Sequence, residues 1–244
     1  MRDSILILHG WAGSSKSWSK TKEILENQGY RVFVPDLPGF GITPDPPNPW
    51  SIDDYTGWVR NFSEKQGLSQ FFLLGHSFGG RIAIKFAVKY PGKLQGLILC
   101  ASAGITPRPK MKITFFAFIS RVGNLIFSLP VLEIFREPTR KLVYILTNAR
   151  DYYFLQGKVM KETFKKTIEE NLTPYLSQIK MPTLIIWGDK DVMVPISDVY
   201  KMNKEISNST LKIIPGGKHA LNYQFPEKLA EIIIKFFTNT PQKK

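Results

Sequence analysis

Apolar residues gather in six short runs, Ser4 to Leu8, Arg31 to Val34, Phe71 to Leu74, Leu97 to Ala101, Thr183 to Trp187 and Leu211 to Ile214, each bounded by Gly, Pro or Asp. Runs this short, rich in Ile, Leu, Val and Phe and without strict alternation, predict strands buried on both faces. Between them Ser17 to Gln28, Ile52 to Gln66, Gly79 to Tyr90, Val199 to Ile206 and Pro226 to Phe237 have helical spacing or a helix-like composition. Strand and helix alternating in this way predict an α/β fold, a mostly parallel sheet of about six strands with helices on both faces.

The alternation stops between Ile105 and Gln178. That stretch has no convincing strand, carries Phe115, Phe116, Phe118, Ile119, Leu125, Ile126 and Phe127, and is punctuated by Pro107, Pro109, Pro130, Pro138 and Pro174. It reads as an inserted helical cap, which divides the chain into a core segment 1–104, a cap 105–178 and a second core segment 179–244. Arg121, Asn124 and Pro130 interrupt its most apolar part, so the ~20 apolar residues of a membrane span are not available. A helix lying on a membrane surface stays open.

Composition narrows the picture. A hydrophobic content of 43% in 244 residues supports one large core with an insertion. One cysteine, Cys100, excludes an internal disulfide and a thiolate metal cluster. Met1-Arg2-Asp3 leads into an apolar run too short for a signal peptide, which predicts a cytoplasmic protein. A net charge of +13 attracts polyanions non-specifically, yet the lysines are spread over solvated helix faces and no nucleic-acid motif occurs, so no nucleic-acid partner is expected.

The chemistry concentrates where strands end, because ligands of parallel α/β sheets gather at the carboxyl ends. After the third run, Gly75-His76-Ser77-Phe78-Gly79 matches Gly-x-Ser-x-Gly, the strand-to-helix turn that presents a serine hydroxyl above the sheet. The glycines remove side chains that would strike the neighbouring strand and helix, and Gly80 lets the helix pack close. His9-Gly10-Trp11-Ala12-Gly13 follows the first run, Gly188-Asp189-Lys190-Asp191 the fifth, and Gly216-Gly217-Lys218-His219 the sixth. Each member also has a plain reading: Ser77 as a helix cap, His219 as a loop histidine, Trp11 as packing beneath the cap. Asp36 reads as a turn-fixing residue and Cys100 as a small core residue.

These segments, with Asp36-Leu37-Pro38-Gly39-Phe40-Gly41, resemble the α/β-hydrolase superfamily over nearly the whole chain. The resemblance implies a nucleophile–acid–histidine order, placing the triad at Ser77, Asp191 and His219, with the backbone N–H groups of Trp11 and Phe78 as the oxyanion hole. Asp189 competes with Asp191; the following Val192-Met193-Val194-Pro195 favours Asp191. Most relatives carry a β-hairpin before the first strand here, so a shortened sheet is expected.

A serine elbow without a P-loop, dinucleotide fingerprint or His-Glu-x-x-His implies acyl-enzyme chemistry with no cofactor and no metal. The expected reaction is hydrolysis of a small-molecule carboxylic ester or lactone by a monomer or homodimer with no stable membrane insertion. Met111, Phe115 and Phe118 are the expected pocket residues, and they serve equally to glue the cap to the core. Arg108, Lys110, Lys112, Arg121, Arg136, Arg140, Lys141 and Arg150 against Glu133 and Glu137 give the cap a basic first half. Carbon–carbon bond hydrolysis and ligand sensing without turnover are the alternative readings of the same residues.

Overall fold

The computed structural model describes residues 3–105 and 157–240. Its strands are β1 (Ser4–Leu8), β2 (Arg31–Phe33), β3 (Phe71–His76), β4 (Leu94–Cys100), β5 (Thr183–Gly188) and β6 (Ser209–Ile214). Its α-helices are α1 (Ser19–Asn27), α2 (Ile52–Lys65), α3 (Phe78–Lys89), α4 (Lys158–Glu169), α5 (Thr173–Leu176), α6 (Ile196–Glu205), α7 (Leu221–Gln224) and α8 (Pro226–Asn239). The strands form one six-stranded sheet in the order β2-β1-β3-β4-β5-β6, parallel throughout. This is the α/β-hydrolase fold that the sequence predicts.

Successive strand residues point to opposite faces, and the core divides accordingly. Leu6, Leu8, Leu73, Leu97, Leu99, Ile185 and Trp187 pack with α2, α3 and α6 on one side. Ile5, Ile7, Leu74, Ile98, Cys100, Leu184 and Ile186 pack with Leu25 of α1 and Leu229, Ile233 and Phe237 of α8 on the other. Most of these side chains have no exposed surface, and full burial of one Leu or Ile stabilises the fold by about 1.5–3 kcal/mol. The continuous apolar runs therefore follow from a sheet covered on both sides.

Element ends differ from the sequence reading where polar residues extend a ladder. β4 starts at Leu94 rather than Leu97, and β6 takes in Ser209 and Thr210, which pair with Thr183 and Leu184. The first helical segment opens as a 3-10 turn, Ser15–Trp18, before α1, and α6 begins at Ile196, directly after Pro195. α2 is opened by a full capping box: Ser51 Oγ accepts from Asp54 N while the Asp54 carboxylate accepts from Ser51 N.

Of the expected insertion, residues 106–156 lie outside the described residues, and with them Met111, Phe115 and Phe118. Its remaining part is helical, as α4 and α5, and is fastened to the core. Leu172 N donates to Gly104 O (2.9 Å) and Thr173 Oγ1 to Ile105 O (3.0 Å), so residues 104–105 and 172–173 lie side by side. Trp50 N donates to Thr163 Oγ1 and Lys166 Nζ to Pro49 O, which holds α4 against the loop before α2.

α3 is buried on nearly every side, including Arg81 and Lys85. Arg81 Nη2 donates to Glu170 O. Lys85 Nζ lies 2.6 Å from Asp53 Oδ2 on α2 and 2.5 Å from Glu170 Oε1 just beyond α4. Burial alone would lower the Lys85 pKa; its hydrogen bonds and charge contacts with Asp53 and Glu170 outweigh that and raise it. No helix among the described residues is long and apolar enough to cross a membrane.

Candidate active site

Ser77 stands between β3 and α3 with φ 50° and ψ −110°, a strained conformation for a residue with a side chain. Close packing enforces it. A Cβ on Gly75 would collide with the Gly79 carbonyl, one on Gly79 with the Leu8 carbonyl at the end of β1, and one on Gly80 with the Ser102 side chain after β4. Ser77 N donates to Cys100 O, and Ser77 O accepts from Gly80 N and Ala103 N. The turn is thus locked from both neighbouring strands, and Ser77 makes no side-chain cap to α3, which removes its plain reading as a helix cap.

A polar chain runs from that serine. His219 Nε2 is 2.9 Å from Ser77 Oγ, and His219 Nδ1 is 2.8 Å from Asp191 Oδ2. The carboxylate can only accept, so Nδ1 carries the proton and Nε2 is left to accept from the serine hydroxyl. The Asp191 side chain is fully buried, and its second oxygen accepts from Met193 N (2.8 Å) and Val194 N (3.2 Å). Asp189, the competing acid, is exposed; its backbone N–H donates to Ile214 O, and the carboxylate on His219 Nδ1 is that of Asp191. The structure therefore brings together Ser77, Asp191 and His219 and leaves Asp189 outside.

The loop after β1 is built tightly beside the elbow. Gly13 N donates to Gly10 O across a turn in which Ala12 has φ 56°. Buried His9 donates Nδ1–H to Gly10 O (2.8 Å) and accepts at Nε2 from Leu37 N (3.0 Å). Burial lowers the His9 pKa, which keeps the ring neutral as this pattern requires. Asp36 accepts from Ser15 N (2.5 Å) and Ile42 N (2.9 Å). Burial would raise its pKa, but these bonds outweigh it and hold the carboxyl below its usual value. The residue is the turn-fixing group that the sequence implies.

Phe78 is the first residue of α3, where backbone N–H groups have no intrahelical acceptor. Neither its N–H nor that of Trp11 enters the turn and loop hydrogen bonds around the elbow. The Trp11 ring meets Phe40, Phe78 and Phe164 edge to face, each with centroids 4.9 Å apart. Phe164 belongs to α4, so the ring packs against that helix. Its Nε1–H is buried without a partner.

Two contacts escape the sequence pattern: the aromatic box around Trp11, and a hydrogen bond from His76 Nε2 to the backbone O of His219 (2.9 Å). Phe164 carries a usable signal, an apolar position spaced from Met160 and Thr167 along α4; the contact with Trp11 joins residues too distant in the chain to pair by pattern. Cys100 is buried at the end of β4, its thiol pKa raised by burial, which suits a core residue. Among the described residues no group of three or more His, Cys, Asp or Glu side chains could hold a metal ion.

Comparison with known proteins adds the family. The family described as "Serine aminopeptidase, S33" matches residues 1–223. A 2-hydroxy-6-oxononadienedioate/2-hydroxy-6-oxononatrienedioate hydrolase of Klebsiella pneumoniae is 26% identical over 250 residues, covering 96% of this chain and 87% of that protein. An esterase from Exiguobacterium antarcticum superposes with a TM-score of 0.76 at 19% identity, covering 98% of this chain and 92% of its own. A thermophilic esterase from Thermogutta terrifontis superposes with a TM-score of 0.74 at 23% identity, covering 99% and 92%.

Proposed function

Because the chain belongs to the serine aminopeptidase family of α/β hydrolases, we propose that it is a serine hydrolase of carboxylic esters, small to medium acyl esters or lactones, acting through an acyl-Ser77 intermediate. The observation that carries this reading is the hydrogen-bonded chain Ser77–His219–Asp191 on a strained elbow.

Ser77 Oγ attacks the ester carbonyl while its proton passes to His219 Nε2. The new oxyanion is received by the N–H groups of Phe78 and Trp11; loss of one such donor costs about 2.7–4 kcal/mol of barrier. The tetrahedral centre collapses, the carbon–oxygen bond to the alcohol breaks, and His219 returns the proton to the leaving alkoxide. Water, deprotonated by His219, then attacks the acyl-serine; the carbon–oxygen bond to Ser77 Oγ breaks, His219 returns the proton to Ser77 Oγ, and the acid is released. Asp191 keeps the imidazole in the Nδ1–H tautomer and stabilises its transient charge. Substrate choice is assigned to the cap 105–178, with Met111, Phe115 and Phe118 as apolar substrate-binding residues. No cofactor or metal enters this scheme.

A second reading is favoured by the activity named for the Klebsiella relative, whose match covers most of both chains. The same three residues would then cleave a carbon–carbon bond in a vinylogous diketone. The basic residues of 105–156 would help to hold an acidic substrate of that kind.

The test is a substrate panel on wild-type and Ser77→Ala protein: p-nitrophenyl esters from acetate to decanoate, γ- and δ-lactones, and a chromogenic ring-fission diketone. Ser77-dependent ester turnover exceeding that on the diketone supports the main reading. Faster diketone cleavage moves the assignment to the second. Tight binding without turnover would mark a receptor, and full activity in Ser77→Ala would reject both hydrolytic schemes.

A further inference from the structure

We infer that His76, the residue before the serine, is a positioning residue that sets the distance between the nucleophile and its base by tying the histidine loop to the end of β3. The inference rests on the serine-hydrolase reading above. His76 Nε2 lies 2.9 Å from the backbone O of His219, and since a carbonyl only accepts, Nε2–H donates.

The tie matters because of where the two segments lie. β3 and β6 are separated by β4 and β5 in the sheet, so no strand ladder sets the spacing between the turn after β3 and the loop after β6. The loop is held on its other sides: Lys190 N donates to Gly217 O (2.8 Å), and Lys218 N donates to Gln224 Oε1 (2.8 Å). Those bonds fix it to the acid loop and to α7. Among the described residues, the bond from His76 is the one joining it to the nucleophile strand, apart from the Ser77–His219 contact itself.

The ring is held firmly enough to act as a strut. His76 is 8% exposed, and the Trp18 ring packs against it at 5.9 Å between centroids. On another side lies Gly10, where an added Cβ would come within 3.0 Å of His76 Nδ1. The His76 and His219 rings lie 5.2 Å apart, so a charge on His76 would oppose the imidazolium that forms on His219 during turnover. Burial, aided by the neighbouring His219, pushes the His76 pKa down to about 4 and keeps the strut neutral near pH 7.

The experiment measures kcat and KM for a p-nitrophenyl ester, and the rate of Ser77 labelling by a fluorophosphonate, in full-length wild type, His76→Leu, His76→Asn, His76→Gln and Ser77→Ala. The Gln amide nitrogen occupies the place of Nε2 and can donate; the Asn amide falls short, and Leu has no donor. Displacement of a base by a fraction of an ångström gives an expected kcat about 10- to 100-fold lower in the Leu and Asn variants. KM should stay within about twofold, and Gln should recover to within about fivefold of wild type. Wild-type kcat in His76→Leu, or a Gln variant as slow as Leu, overturns the inference. Should His76→Leu lack the native circular dichroism spectrum, the Asn and Gln pair decides in the same way. Wild-type turnover in Ser77→Ala instead removes the serine reading, and this inference with it.

Discussion

Replacing Lys85 by Ala removes the cation that joins α2, α3 and the residue after α4. Its side chain is 5% exposed, and the partners Asp53 and Glu170 are 46% and 25% exposed. Breaking a fully buried pair by deleting one member costs about 3–5 kcal/mol, mostly from the charge left behind. Asp53 is half in water and keeps Lys89, 2.6 Å away, so its share is small. Glu170 is the group left uncompensated, and the Lys85 ammonium also sits 5.2 Å from the Tyr175 ring centroid, a contact of about 0.5–1 kcal/mol.

The expected loss is about 2–3 kcal/mol. At about 2–4 °C per kcal/mol for a chain of this size, the melting temperature falls by about 4–12 °C. Urea unfolding followed by tryptophan fluorescence measures it. Glu170→Gln removes the carboxylate while keeping the backbone oxygen that Arg81 binds, so the double variant should be less destabilised than the sum of the singles by about 1 kcal/mol or more. A Lys85→Ala protein within about 0.5 kcal/mol of wild type, or additivity with Glu170→Gln, would refute this account of the cluster.

Two further outcomes follow from packing and ionisation. Gly79→Ala should destroy Ser77 reactivity, because its Cβ meets the backbone of Leu8 and His9, which cannot yield. Gly57→Ala, on α2 with nothing within 4 Å of the new Cβ, should raise stability by about 0.5–1 kcal/mol; equal effects of the two changes would contradict the geometry. Acid should weaken the fold through His76. Its folded pKa of about 4 lies below the unfolded value near 6.5, so the unfolded chain binds the proton first. The stabilising difference is fully present above about pH 6.5 and is lost as pH falls toward 4, about 3 kcal/mol at the limit. His9, also lowered by burial, acts in the same direction. Stability profiles of wild type and His76→Gln should converge over that interval, and parallel profiles would refute the assignment.

Much of this was legible in the chain because the residues concerned act locally. Apolar runs flanked by Gly or Pro report strands buried on two faces, and the glycines around Ser77 report a turn with no room for side chains. The choice of Asp191 over Asp189 followed from a neighbouring Val-Pro pattern, and the hydrogen bond to His219 agrees with it. What stayed hidden depends on contacts between distant segments. Arg81 and Lys85 lie four residues apart on a helix whose other residues up to Val88 are apolar or glycine, which hints that they are buried, but their partners at Glu170 and Asp53 are far away in sequence. The link from His76 to the His219 carbonyl involves a backbone atom, which no residue pattern can announce.

Covalent acylation of Ser77 is the step on which the proposed chemistry depends. The most direct measurement is intact-protein and peptide mass spectrometry after millisecond acid quenching of the enzyme with a slowly deacylating p-nitrophenyl ester. The expected result is an acyl mass increase confined to the peptide containing Ser77 and absent from Ser77→Ala and His219→Ala. Hydrolysis that proceeds at an undiminished rate with Ser77 replaced, or an acyl group on any other residue, would contradict it.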